Sequence, residues 1–425
     1  MKLGRPSPGV AYIALLVVTF GFMVYSNDRL GVMSSSIFYM KSQLHISNVQ
    51  FSLLASAFVF GFLPFPLLSG YLSDKLRTPL IIPISLICFS ITTSLIAIAT
   101  NYQDVFVLRI LTGVGEGLFI PAAGGLLGKF FTNRRGLAWG IFNAGFAFGV
   151  VSGSLMGGFL GSIYRTYTYN FVFSGLFGFS IAILSVLFIY GYKESVYSSY
   201  RAYNQPESVH ASRPKIFAKE FFTLGLLLSV AVSFMNSWAS TNFILWLAYY
   251  LNTVRRIPPS LSSYYSGYAF LFSVAGTILL GAAADKIHKR FGSRALVIVI
   301  AAIGSGLFSA LLVLVVNNIV AVVMAFGVGF LYSTIYPTSL AIGQDSVDKK
   351  YASAATGFNI NIQTLSTMIG PVTLALMLSS SFTTAMLFNI ALPWFLTGVV
   401  AIVFWIVTKH REDKLVTHHG ASVGI

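Results

Sequence analysis

Leu108-Arg109-Ile110-Leu111-Thr112-Gly113-Val114-Gly115-Glu116-Gly117-Leu118-Phe119-Ile120-Pro121 is the stretch that decides how this chain folds. It lies in a long apolar run, yet carries an arginine and a glutamate seven residues apart. Seven residues is close to two helical turns, so both side chains leave a helix from nearly the same face. Gly113 and Gly117 lie on or beside that stripe, where a small residue lets a neighbouring helix or a ligand come close. A charge at a bilayer centre costs about 2.5–3.5 kcal/mol on insertion scales, so two on one span require partners or water. One other ionisable pair sits in an apolar segment: Asp28-Arg29, near the end of the first apolar run. The rest of the chain reads as the scaffold that brings these two pairs together.

Composition fits that reading. The 425 residues are 56% hydrophobic and 9% charged, far below the roughly 25% charged of soluble domains. The class is an all-α polytopic membrane protein. The net charge of +15 raises nucleic acid as a partner. The bases are scattered in short clusters between apolar spans, without the continuous patch that nucleic-acid binding needs. The single cysteine, Cys88, allows no disulfide framework or cysteine metal cluster, and the six histidines are dispersed. No metal and no cofactor is expected. The Gly113–Gly117 run is not preceded by a strand or followed by a lysine, so it is not a phosphate-binding loop. The start, Lys2 and Arg5 before an apolar run from Val10, resembles a signal peptide, but it continues into Asp28-Arg29 without a small-residue cleavage site. A retained first span is expected.

A bilayer crossing takes about 20 apolar residues. Twelve spans are predicted, near 10–34, 49–73, 80–99, 103–128, 137–162, 168–192, 219–250, 263–284, 295–316, 318–343, 353–379 and 383–408. This gives an N-terminal six-helix bundle (1–192), a linker (193–218), a C-terminal six-helix bundle (219–408) and a tail (409–425). With both termini cytoplasmic, 21 of the 27 lysines and arginines fall inside and four outside (Lys41, Arg165, Arg255, Arg256); Arg29 and Arg109 are within spans. That asymmetry predicts a multi-pass protein of the cell membrane with both ends in the cytoplasm. Of the twelve carboxylates, only Asp28 and Glu116 lie deep in spans, both in the first half.

The halves also repeat. Gly70-Tyr71-Leu72-Ser73-Asp74-Lys75 ends the second span and Gly281-Ala282-Ala283-Ala284-Asp285-Lys286 ends the eighth. Gly140-Ile141-Phe142-Asn143 is echoed by Gly357-Phe358-Asn359. A duplicated six-span unit is the mark of a transporter whose halves rock about a midplane site.

The chain resembles the major facilitator superfamily over its whole length. The Gly70/Asp74/Lys75/Arg77 and Gly281/Asp285/Lys286/Arg290 elements are similar to its signature loops. There the glycine lets helices pack closely, and the aspartate and bases link bundle ends at a cytoplasmic gate. The first copy lacks the usual second glycine in Leu76-Arg77-Thr78-Pro79. Within the superfamily, Asn27-Asp28-Arg29 and the Arg109–Gly117 stretch, followed by Pro121 and Lys129-Phe130-Phe131, resemble the first and fourth spans of the anion:cation symporter family. That family includes sugar-acid and sialic-acid carriers. Trp246-Leu247-Ala248-Tyr249-Tyr250-Leu251 is similar to the end of its seventh span. Thr132 and Arg134 stand where it often has proline and glutamate. Spinster-type lipid transporters share the Asp-Arg and Arg-x-x-x-Gly-x-Gly-Glu elements.

By helical rise, Asp28 and Arg109 meet at similar depth, while Glu116 lies about 10 Å deeper than Arg109. The residues then imply proton-coupled transport of a small organic anion by one monomeric chain. Arg29, helped by Arg109, holds a carboxylate; Asp28 and Glu116 take up protons. The resemblance implies the same roles. Asn236, Asn359 and Asn361, with Asn143 as the repeat mate of Asn359, are candidates for contacting a hydroxylated acid. The competing readings are neutralising structural pairs (Asp28–Arg109, Arg29–Glu116), a cation-drug exporter, a lipid carrier, and a multi-pass receptor or channel.

Overall fold

The computed structural model describes residues 8–64, 80–131, 135–193, 196, 218–291, 294–348 and 351–421. The first signature loop (Gly70, Asp74, Lys75, Arg77) and nearly all of the expected linker lie outside these residues. Helix α1 is Pro8–Gln43. It is followed by α2 (Asn48–Phe62), α3 (Ile81–Ile96), α4 (Tyr102–Phe130), α5 (Arg135–Tyr164) and α6 (Thr168–Gly191). Then come α7 (Leu224–Thr253), α8 (Pro259–Phe291), α9 (Ala295–Leu314), α10 (Asn318–Asp345) and α11 (Ala352–Met377). Helix α12 runs from Phe382 to Ala421 through a π-helical turn at Leu387–Ala391. Among the described residues, ten helices are long and apolar enough to cross a membrane, and α2 and α3 are shorter apolar helices. Each expected span has its helix.

Local chemistry sets the ends. Ser47 and Gln50 close a reciprocal capping box on α2: the Gln50 amide donates to Ser47 Oγ at 3.2 Å, and the Ser47 amide donates to Gln50 Oε1 at 2.9 Å. Asn101 and Asn317 cap α4 and α10 with their side-chain oxygens. Helix α10 is interrupted between Tyr332 and Ile335. Pro337 explains the break, because it offers no N–H to the Ser333 carbonyl and its ring opposes that oxygen.

Two compact units result: residues 1–210 with 244–271, and residues 211–243 with 272–425. In the first, α2 packs on α4, α3 on α4 and α6, and α1 on α5. The ends of α7 and α8 belong to this unit: Phe51 meets Trp246 edge-on at 5.8 Å, and Lys41 Nζ donates to the Tyr249 hydroxyl at 2.5 Å. In the second, α9 packs on α10 and α12, and α10 on α11. Of the second signature element, Gly281 and Lys286 lie on α8, whereas the side chains of Asp285 and Arg290 are outside the described residues. A Cβ at Gly281 would meet no atom within 4 Å, so this glycine does not mark a close helix contact.

Candidate functional site

The site is built on a departure from α-helical geometry. Asn27–Val32 of α1 is a π-helical turn, a feature often found at functional positions because it interrupts the regular hydrogen-bond ladder. Two glycine pairs let the neighbouring helices close in. A Cβ on Gly31 would lie 2.7 Å from the Val150 carbonyl, and one on Gly153 would lie 2.8 Å from the Asn27 carbonyl, so α5 crosses α1 at backbone distance. Likewise a Cβ on Gly61 would overlap the Ile110 carbonyl and one on Gly113 the Phe58 carbonyl, which draws α2 onto α4.

Three consecutive residues of the π-turn address three sides of the bundle. Asn27 reaches α5 and α6: its Nδ2 donates to Ser152 Oγ at 2.9 Å, and its Oδ1 accepts from Ser174 Oγ at 2.8 Å. Asp28 reaches α3 and α4: Oδ2 accepts from Thr93 Oγ1 at 2.8 Å, and Oδ1 pairs with Arg109 at 3.4 Å. Arg29 turns to α2 and to its own preceding turn. Its guanidinium carbon lies 4.7 Å from the centre of the Phe58 ring and 5.8 Å from that of Phe62, and it donates to the Tyr25 hydroxyl.

Asp28, Arg109 and Glu116 are fully buried, whereas Arg29 is only half-buried. Arg109 extends the contact to α1 through a 3.5 Å approach to the Arg29 carbonyl, and its guanidinium carbon lies 5.3 Å from the Phe58 ring. Phe58 is therefore flanked by both arginines, whose delocalised charge suits an aromatic face. Glu116 differs from the other three. Both carboxyl oxygens are buried without a hydrogen-bond partner among the described residues. It interacts electrostatically with Asp28, Arg109 and Arg29. An ionised carboxylate in such a place costs several kcal/mol, and a neutral acid costs less.

The structure thus pairs Asp28 with Arg109, as the helical rise predicts, and among the described residues the Glu116 oxygens have no hydrogen-bond partner. The asparagines are placed differently. Asn236 Oδ1 accepts from Trp394 Nε1 at 3.0 Å, tying α7 to α12, and Asn359 Nδ2 donates to Ser229 Oγ at 2.8 Å, tying α11 to α7. Both are buried. Asn143 is exposed and donates to the Trp139 carbonyl of its own helix, and Asn361 is half-buried. Sequence reading missed Thr93, Tyr25 and Phe58. Thr93 sits among other hydroxyl residues (Ser90, Thr92, Ser94), and the two aromatics sit in aromatic-rich runs. Only Tyr25, four residues before Arg29 on the same helix, carries a local signal.

The Major Facilitator Superfamily profile matches residues 11–371. The chain belongs to that superfamily. It is a multi-pass transporter of the superfamily and not an enzyme. The hexuronate transporter of Bacillus subtilis is 24% identical over 345 residues, covering 78% of this chain and 80% of that one. The cis,cis-muconate transport protein of Acinetobacter baylyi is 24% identical over 400 residues, covering 92% and 94%. The quinolone resistance protein NorA of Staphylococcus aureus is 27% identical over 215 residues, about half of each chain (50% and 53%). Among solved structures, an inward-facing bacterial homologue of the human lysosomal transporter Spinster superposes with a TM-score of 0.74. It shares 16% identity, over 94% of this chain and 97% of that one.

Proposed function

We propose that this protein is a proton-coupled symporter of a small organic anion, working by alternating access. The observation that carries the reading is the buried four-residue constellation in which Glu116 has no hydrogen-bond partner among the described residues, while Arg29 alone keeps some exposure. Arg29 offers its guanidinium to a substrate carboxylate through paired, charge-assisted hydrogen bonds. Glu116 carries the transported proton, and Asp28 is the second acceptor. Protonating Glu116 removes a negative charge that repels the anion, and protonating Asp28 releases Arg109 to help hold it. Proton and anion then favour one another's binding, which is the reciprocity that coupling requires. Two relatives that match most of the chain are named for hexuronate and muconate, both carboxylates, and this supports the anion reading.

The accompanying assignments follow from the same picture. The protein lies in the cell membrane with both termini cytoplasmic and functions as a monomer. Its duplicated units are 1–192 and 219–408, and the signature loops form the cytoplasmic gate. Asn143 and Asn361 are the asparagines left to meet substrate. Asn236 and Asn359 serve first as links between helices.

The test is reconstitution into liposomes holding a pH-sensitive dye. D-glucuronate, cis,cis-muconate and benzoate are added outside, with an organic amine and a lysolipid as controls. Lumenal acidification by one of the acids, above passive leak and abolished in Glu116→Gln, is the expected result. Glu116→Gln should keep substrate counterflow; loss of counterflow and acidification together would remove its coupling role. Silence to all acids with a response to the amine would favour the exporter reading suggested by the half-length likeness to NorA.

A further inference from the structure

The proposed clamp, Arg29, sits on a long side chain with several rotatable bonds, and such a chain binds a carboxylate well only if something holds the fork in place. The structure shows what holds it. Tyr25, one turn back on α1, is 2% exposed, and its hydroxyl accepts a hydrogen bond from the Arg29 guanidinium. The phenol ring is itself fixed by four aromatic neighbours. Phe22 lies at 5.2 Å, Phe58 at 6.3 Å, and Phe62 and Phe146 each at 6.4 Å between ring centres. Phe22 is anchored in turn by stacking on Phe142 of α5 at 4.4 Å, with the rings 4° from parallel. Three of these rings also face the guanidinium: Phe58, Tyr25 and Phe62 at 4.7, 5.6 and 5.8 Å.

We infer that Tyr25 is a positioning residue for Arg29, setting the direction in which its guanidinium meets an incoming carboxylate. The inference rests on the proposed role of Arg29 and adds a residue whose hydroxyl bonds the clamp. The aromatic collar confines the plane of the guanidinium, and the phenol oxygen selects one rotation within that plane. Asp28 and Glu116 interact electrostatically within the same cluster. A guanidinium released from Tyr25 has carboxylates close by that compete with the substrate for it.

Tyr25→Phe removes the single oxygen and keeps the ring among its neighbours, so the collar remains packed. Losing one hydrogen bond to a charged group corresponds to about ten-fold in affinity. In the liposome assay with glucuronate, muconate and benzoate, Tyr25→Phe should raise KM about ten-fold for whichever acid the wild type carries, with Vmax changed less than two-fold. Its Tm in detergent should stay within a degree or two of wild type. The double variant Tyr25→Phe/Arg29→Lys should be no worse than Arg29→Lys alone, because the phenol acts only through the fork. An unchanged KM would overturn the inference, as would losses that add in the double variant. A fall in Tm together with Vmax would reduce Tyr25 to a packing role. If the wild type carries none of the acids, the anion reading itself fails, a result distinct from all of these.

Discussion

Helices α1 and α12 each widen into a π-helical turn, at Asn27–Val32 and at Leu387–Ala391. The first turn presents ions and the second an amide. Asp28 meets Arg109 and Thr93, and Arg29 meets Tyr25 and Phe58. In the second unit, Asn389 Oδ1 accepts from Thr373 Oγ1 at 2.8 Å and from Trp238 Nε1 at 3.4 Å, and its Nδ2 donates to the Ala385 carbonyl at 3.0 Å. Nearer the start of α7, Ser229 and Ser339 exchange bonds with each other's carbonyls at 2.7 and 2.8 Å, and Asn359 joins them. A neutral amide can be satisfied once and stay so. A buried ion pair changes its balance with every proton, which is what a coupling site needs. The same backbone device therefore carries an ion-paired cluster in one unit and a neutral amide junction in the other.

That contrast can be broken experimentally, and the largest effect is expected at the ion pair. Arg109→Met leaves the Asp28 carboxylate buried with only Thr93, which should cost about 3–5 kcal/mol and abolish transport. Thermal unfolding in detergent together with uptake checks this, and a stable, active variant would show that the pair is dispensable. Asn389→Ala should cost about 1–3 kcal/mol, since it removes the acceptor of the Trp238 N–H while Thr373 keeps the Gly370 carbonyl, but leave the substrate KM close to wild type. A selective rise in KM at unchanged Tm would instead make the α12 turn a binding element and erase the contrast. The smallest effect is expected away from both turns. Arg165 joins α5 to α6 with φ of 52°, a left-handed conformation that costs a non-glycine residue about 1–2 kcal/mol. Arg165→Gly should raise Tm slightly without altering transport, and a lower Tm would mean that its side chain contributes more than its backbone strain costs.

Much of this architecture was legible from residue order. Apolar runs of span length predict twelve helices, and the seven-residue spacing of Arg109 and Glu116 places both on one buried face, as found. Helical rise predicts that Asp28 meets Arg109, and the two are 3.4 Å apart. Those inferences need only local geometry. The amides were less legible. Asn236 and Asn359 read as candidates to contact substrate, and each also bonds a neighbouring helix, Asn236 Oδ1 with Trp394 and Asn359 Nδ2 with Ser229. A polar residue in an apolar run has the same sequence signature whether it serves a ligand or a helix contact.

Hydropathy and helical periodicity act within one segment, so residue order alone specifies the membrane class, the helix order and the set of four charges. Tertiary packing sets which partners the charges meet. The close approach of α5 to α1 at Gly31 and Gly153, and of α2 to α4 at Gly61 and Gly113, packs the bundle round the π-turn, where Ser152 of α5, Thr93 of α3 and Phe58 of α2 meet Asn27, Asp28 and Arg29. Which partner each side chain finds depends on helices far apart in the chain, and backbone contact distance between them is a property of the packed bundle alone.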